Sequence, residues 1–232
     1  MRRSARSHGD WALAIFAKAP IPGQIKTRLV PPLTPECAAR LHGAFVGDIL
    51  DRTAALGWTR YLACAPDITH PFLRACAQES GALPIPQGEG DLGARLNRVI
   101  GELLRRHDGV IVIGADSPSL PVGYLEQART HLAAAEVVLG PAEDGGYYLI
   151  GLQRAHPALF EDIPWGSSEV FSATAAKVGT SRLALLPLWY DVDRPSDLDR
   201  LRADVMLTRD CPRTRAVLES CAPALTPAES RP

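Results

Sequence analysis

Long apolar runs are missing from this chain of 232 residues. No stretch approaches the ~20 apolar residues that a membrane-spanning helix requires, so no membrane partner is expected. Charge of one sign is missing as well: 25 Lys and Arg stand against 26 Asp and Glu, leaving no field to draw the protein onto nucleic acid. Cysteine is scarce and irregularly spaced, at Cys37, Cys64, Cys76, Cys211 and Cys221, with no CxxC pair. Such a scattered set argues against a zinc site and predicts no disulfide framework, as in a reducing cytosol. The histidines form no HxxxH pair, and His42 and His107 read as surface or helix-end residues. No Ser/His/Asp elbow, no paired carboxylates of the glycosidase kind and no repeat is visible. The basic opening MRRSAR leads into only a short apolar run, Trp11 to Ala17, before Lys18. That core is too short for a signal peptide, and a cytoplasmic protein is expected.

What is present alternates. Trp11–Ala17 is a continuous apolar run, as in a strand covered on both faces. Thr34-Pro35-Glu36 is a helix start, followed by Ala38, Leu41, Phe45 and Ile49 at helical spacing. Arg60–Pro66 predicts a second strand, and HPFLRACAQES a short helix. Asp91 caps an amphipathic helix carrying Leu92, Leu96, Val99, Ile100 and Leu103. GVIVIGADSP is the most strand-like segment. A helix near 121–134 follows, then two strands around the acidic turn of AEVVLGPAEDGGYYLIGL. SSEVFSATAAKVG is helical, RLALLPLWYDVD reads as a strand, and RPSDLDRLRADV as a closing helix. This order predicts βαβ units and a mostly parallel sheet in one domain over residues 11–205, with loose tails at 1–10 and 206–232.

In such a sheet ligands bind at the carboxyl ends of the strands, where the unusual residues fall. After the first strand come Lys18, Gly23, Lys26, Thr27 and Arg28, a stiff cationic loop that either holds phosphate or is a solvated turn with incidental lysines. It lacks the glycine spacing of a Walker P-loop. Asp116 ends the third predicted strand, a typical magnesium-ligand position that could also be a turn cap. Asp191 and Asp193 lie two apart in a strand-like stretch, so both should face one way. One of them could complete the metal site, or both could belong to the start of the helix at Pro195. Glu143, Asp144, Gly145 and Gly146 read first as turn chemistry and second as part of an acceptor pocket. Trp165, before a helix capped by Ser167 or Ser168, either lines an acceptor pocket or covers the core.

FAKAPIPGQIKTRLVPPLTPECAARL, QGEGDLGARL, VIGADSPSL, LGPAEDGGYYLIGL, IPWGSSEVF and LPLWYDVDRPSDL occur in this order. Together they resemble a glycosyltransferase-like bacterial family of the nucleotide-diphospho-sugar transferase superfamily, with one branch linked to arsenosugar biosynthesis. The resemblance implies a GT-A-type fold, a three-layer α/β sandwich that uses a divalent cation, Mg2+ or Mn2+. More distantly, KTRL is similar to the opening of 2-phospholactate guanylyltransferase, and GADSP to the metal region of molybdenum cofactor guanylyltransferase. By that likeness Asp116 holds the metal, for which the residues themselves offer Asp193 or Asp191 as second ligand. Lys26 and Arg28 hold the triphosphate, and Gly88, Gly90 and Asp91 lie near the nucleoside. There is no doubled-glycine opening, and no DxD motif at Asp116.

Three cations in the first loop and one strand-end aspartate favour nucleotidyl transfer: a nucleoside monophosphate passes from a nucleoside triphosphate to a phosphorylated small-molecule acceptor, and pyrophosphate leaves. Glycosyl transfer from a nucleotide-diphospho-sugar is the alternative, and a nucleotide-binding protein without turnover the third reading. On sequence alone, Asp116→Ala should abolish turnover and leave melting little changed.

Overall fold

The computed structural model describes residues 10–178 and 182–221; the expectation of a loose segment before Asp10 lies outside them. Seven strands form one sheet in the order β3-β2-β1-β4-β6-β5-β7. They are β1 (Trp11–Lys18), β2 (Thr59–Ala65), β3 (Leu83–Pro86), β4 (Gly109–Gly114), β5 (Val137–Pro141), β6 (Tyr147–Leu152) and β7 (Leu183–Leu185). β1 pairs in parallel with both β2 and β4, whereas β6 runs antiparallel to β4 and β5. Among the described residues there are seven α-helices: α1 (Pro35–Arg52), α2 (Pro71–Ser80), α3 (Leu92–Leu104), α4 (Val122–His131), α5 (Val170–Val178), α6 (Pro195–Thr208) and α7 (Pro212–Ser220).

β1 shows why a continuous apolar run is needed. Leu13 and Ile15 face a core that contains Val46 and Ile49 of α1, Leu73 of α2 and Leu125 of α4. Ala12 and Ala14 face the opposite core, with Leu96, Val99 and Ile100 of α3. Each large side chain hidden in this way is worth roughly 1.5–3 kcal/mol. Helix starts follow local chemistry as expected: the Thr34 hydroxyl accepts from Cys37 N at 3.2 Å, and Asp91 accepts from Ala94 N at 2.8 Å.

Three elements depart from the expected pattern. β3 is an unexpected strand, four residues long with prolines at positions 84 and 86, tolerated because it lies at the sheet edge. β7 ends at Leu185, two residues before Pro187. Tyr190–Asp193 is therefore not a strand, and the parity argument for Asp191 and Asp193 loses its basis. The segment beyond residue 206 is not a loose tail up to Cys221, because α6 runs to Thr208 and α7 follows.

α7 is fastened to α1. Asp48, wholly buried on α1, accepts from Arg213 N at 3.1 Å and Thr214 N at 2.7 Å, satisfying donors at the start of α7. Leu218 joins Leu41, Phe45, Leu198 and Leu201 in a third apolar cluster between α1, α6 and α7. Cys37 and Cys221 form a disulfide across 184 residues of sequence, correcting the expectation of free thiols. Sequence spacing does not carry pairing; the docking of α7 on α1 brings the two Cα atoms to 5.9 Å.

Asp48→Ala removes the acceptor for two buried backbone donors and should cost about 1–3 kcal/mol, a fall of about 3–10 °C in Tm for a chain of this size. Asp48→Asn keeps one acceptor and sheds a carboxylate whose pKa burial pushes up, so it should lose less. A calorimetric Tm unchanged in Asp48→Ala would contradict this anchoring.

Candidate functional site

From β1 the chain steps outward to β2 and β3, then returns to place β4 on the other side of β1. The crevice where neighbouring strands part in opposite directions is where open α/β sheets take ligands. Here the loop after β1 meets the segment after β4. Lys26 adopts a left-handed conformation, φ 50°, which costs a non-glycine residue roughly 1 kcal/mol. The next turn drives Leu29 into the third cluster, and the Lys26 side chain turns inward until only 3% of it is exposed. Its Nζ forms an ion pair with Asp116 Oδ1 and donates to Asp193 Oδ1 at 2.8 Å and to the Val192 carbonyl at 2.8 Å. The aromatic face of Phe45 lies 5.8 Å away.

Backbone bonds deliver Asp193 to this point. Val192 N donates to Asp116 O at 2.9 Å, and Ser117 Oγ donates to Tyr190 O at 3.0 Å, docking Tyr190–Asp193 beside the end of β4. Asp197 at the start of α6 accepts from Asp193 N and Arg194 N. The two carboxylates left open by the sequence are thereby separated. Asp193 shares the Lys26 ammonium with Asp116, whereas Asp191 binds Ser117 Oγ instead.

Burial disfavours a charge on Lys26, but Asp116 and Asp193 outweigh it and hold its pKa above the ordinary value. Burial would likewise raise Asp116, yet the charges of Lys26 and His42 keep it below the usual carboxylate range. Asp191 is pushed up to about 7, by burial first and then by the charge of Asp116.

His42 is the residue that sequence reasoning missed. It is buried on α1, not at the surface. Its Nε2 lies 3.1 Å from the Lys18 carbonyl and its Nδ1 3.8 Å from Asp116 Oδ1, while burial lowers its pKa. Its position in the heptad-like run of α1 gave the only available signal: it falls one residue after Leu41, on the inward side.

The other expected residues divide. Lys18, the last residue of β1, is exposed, as are Gly23, Thr27 and Arg28 in the loop that follows it. The glycine loop also reaches this edge, because Gln87 Nε2 donates to Ala17 O at 3.2 Å and to Ala63 O at 2.8 Å. Gly88 and Gly90 take φ of 78° and 100°. Arg98 grips the loop through the carbonyls of Gln87 and Glu89, so close that a Cβ on Gly88 would fall within 2.2 Å of its guanidinium. Asp91 is committed to capping α3.

Glu143 pairs with Arg200 at 2.7 Å. Asp144 accepts from Gly146 N at 2.9 Å, and its charge acts on Asp191. Gly145 lies against Ser168, whose carbonyl a Cβ would meet at 2.1 Å. Trp165 covers the second core, edge-on to Tyr147 at 6.3 Å and tight against Gly93. These residues are bound up in turn geometry and packing, and the contacts do not join them to Lys26.

Among the described residues, no group of three or more acidic, His or Cys side chains is arranged to hold a metal. Magnesium needs only one or two protein carboxylates and keeps waters or phosphate oxygens for the rest. Asp116 and Asp193, each about 40% exposed at the side chain and already meeting at one cationic nitrogen, fit that modest demand.

The asymmetry of exposure makes a stability prediction. Removing both acids, in Asp116→Ala/Asp193→Ala, strands a buried ammonium and should cost about 3–5 kcal/mol. Lys26→Met strands only half-exposed carboxylates and should cost clearly less; melting curves that rank the two the other way would refute this. Asp116→Ala alone should therefore lower Tm, correcting the expectation of little change. A second test concerns pH. Because the folded pKa of Asp191 is raised to about 7, its contribution to stability is full below the unfolded value and is lost as pH rises through 7. Asp191→Asn, measured with chelator present, should therefore gain on the wild type between pH 5 and pH 8; a constant difference in Tm over that range would contradict it.

A family model described as an uncharacterized protein conserved in bacteria (DUF2064) matches residues 49–167, which include Asp116 and the glycine loop. A crystal structure from Desulfovibrio desulfuricans G20, assigned as a nucleotide-diphospho-sugar transferase, is 30% identical with a TM-score of 0.83, covering 92% of this chain and 95% of that one. CMP:2-keto-3-deoxy-manno-octonic acid synthetase complexed with CTP shares the fold at 14% identity and a TM-score of 0.56, over 86% of this chain and 99% of that one. Glucosyl-3-phosphoglycerate synthase from Mycobacterium tuberculosis, solved with Mn2+ and UDP, does so at 12% identity and 0.53, over 90% and 82%. No curated protein matches the chain. The expected GT-A-type architecture is thus the observed one, and the chain belongs to the DUF2064 family of bacterial proteins, with the fold of the nucleotide-diphospho-sugar transferases.

Proposed function

We propose that the protein is a metal-dependent nucleotidyltransferase, moving a nucleoside monophosphate from a nucleoside triphosphate to a phosphorylated small-molecule acceptor. One observation carries this reading: Lys26, Asp116 and Asp193, from three distant segments, meet at the β1/β4 switch point, with the exposed Lys18 at the end of β1 and Arg28 in the loop that follows it. That combination suits a polyanion with its counter-cation.

In the reaction, an acceptor phosphate oxygen attacks the α-phosphorus in line. A new P–O bond forms, the bond to the oxygen bridging to the β-phosphorus breaks, and pyrophosphate leaves with the electron pair. Lys18 and Arg28 offset charge on the leaving group, Arg28 as a fork and Lys18 as a point charge. Asp116 and Asp193 would hold Mg2+ or Mn2+, which supplies charge neutralisation across the phosphates. Before the metal binds, Lys26 holds those two carboxylates together. Gly88, Gly90 and Asp91 give the nucleoside a close backbone approach, and Asp144, Gly145 and Gly146 border the acceptor side.

Glycosyl transfer is the second reading. It is favoured by the 30% identical relative, which is assigned to nucleotide-diphospho-sugar transfer, and by the absorption of the Lys26 charge between two acids, which leaves the loop less cationic than its sequence.

Thermal melting with magnesium and a panel of nucleoside triphosphates and nucleotide sugars separates the two. A ligand at about 100 times its Kd stabilises by ~2.7 kcal/mol, which for this size means a rise of about 5–10 °C. A rise with one triphosphate, reduced in Arg28→Ala, together with pyrophosphate release on adding acceptor, is the expected result. A rise only with a nucleotide sugar, with release of nucleoside diphosphate, would replace the first reading by the second, and no rise with any of them would sink both.

A further inference from the structure

The Lys26 ammonium has three N–H donors, and three oxygens take them: Asp116 Oδ1, Asp193 Oδ1 and the Val192 carbonyl. The ammonium is almost wholly buried, while the two carboxylates are about 40% exposed at the side chain. The position a divalent cation would take between these acids is therefore already served by a cation belonging to the chain. We infer that Lys26 is a resident counter-ion which the metal must displace, so that metal and polyphosphate bind this site cooperatively rather than independently.

The physical argument is one of stranded charge. A divalent ion that takes Asp116 and Asp193 leaves the ammonium with Val192 O and the face of Phe45, 5.8 Å away. Two of its three hydrogen bonds are then lost in a buried position, which is heavily penalised. Free metal alone is thus opposed. Phosphate oxygens arriving with the metal return the missing acceptors, and the opposition disappears. By linkage the effect is reciprocal: each ligand raises the affinity of the other by the same factor. The left-handed turn at Lys26, between the exposed residues Gly23, Gln24, Thr27 and Arg28, is the element that lets the side chain exchange carboxylate for phosphate. The inference rests on the proposed function only in taking a polyphosphate as the second ligand.

The test is Mn2+ binding followed by electron paramagnetic resonance, without nucleotide, in the wild type and in Lys26→Met. The variant should bind Mn2+ tighter by roughly 10-fold or more, within the ordinary range of such couplings; equal or weaker binding overturns the inference. If Lys26→Met does not fold, Lys26→Gln gives the same comparison. Independently of any variant, micromolar Mn2+ binding by the wild type alone would show that the lysine does not oppose the metal, and would also overturn it. Melting with Mn2+, with each nucleoside triphosphate and with both should give a combined shift above the sum in the wild type and close to the sum in the variant. A wild type that responds to no nucleotide refutes the proposed function, whereas the Mn2+ comparison still decides the role of Lys26.

Discussion

A buried ammonium cannot stand without counter-charge, and this constraint organises the site. Lys26 is enclosed by the loop after β1, by α1 through Phe45 and by the Tyr190–Asp193 segment. Asp116 and Asp193 are fixed where they are because each supplies part of what that one nitrogen needs. The ion pair also ties together three pieces of chain that share no strand pairing. The contact of Lys26 with Asp193 spans 167 residues of sequence and lies at the carboxyl ends of β1 and β4.

The rest of the fold serves that meeting point. β1 and β4 run side by side, and their ends open because β2 and β6 lie on opposite flanks. The third apolar cluster holds α6 and α7 against α1, which fixes the approach of Tyr190–Asp193 from behind. Asp48 and the Cys37–Cys221 bond act at the same interface. The helices outside the first two layers thus set where Asp193 stands, although they lie outside the crevice itself.

The architecture was largely readable in the sequence because β1, β4 and α3 have one-dimensional signatures: a two-sided apolar run needs no knowledge of its neighbours, and neither does an N-cap such as Thr34 or Asp91. Asp116 was readable for the same reason, as a carboxylate at the end of such a run. The identity of Lys26 was visible but its partners were not, since a loop cation can face water, phosphate or an acid, and only the return of residues 190–193 decides. His42 was hidden by its helical setting, where a buried polar residue has the same spacing as an apolar one. Asp191 and Asp193 were grouped by a strand periodicity that stops at Leu185. The disulfide depends on α7, whose docking rests on contacts too distant in sequence to be seen.

The edge strand β3 has a consequence for the whole particle. Gln87 N donates inward to Cys64 O, so by alternation the amide positions of residues 84 and 86 point outward, and both are proline. The outer rim of β3 therefore offers a neighbouring strand no donors. At the opposite rim, β7 stops after three residues, two positions before Pro187. Imino nitrogens thus bar growth at the β3 rim, and the β7 rim offers a neighbour only a three-residue strand.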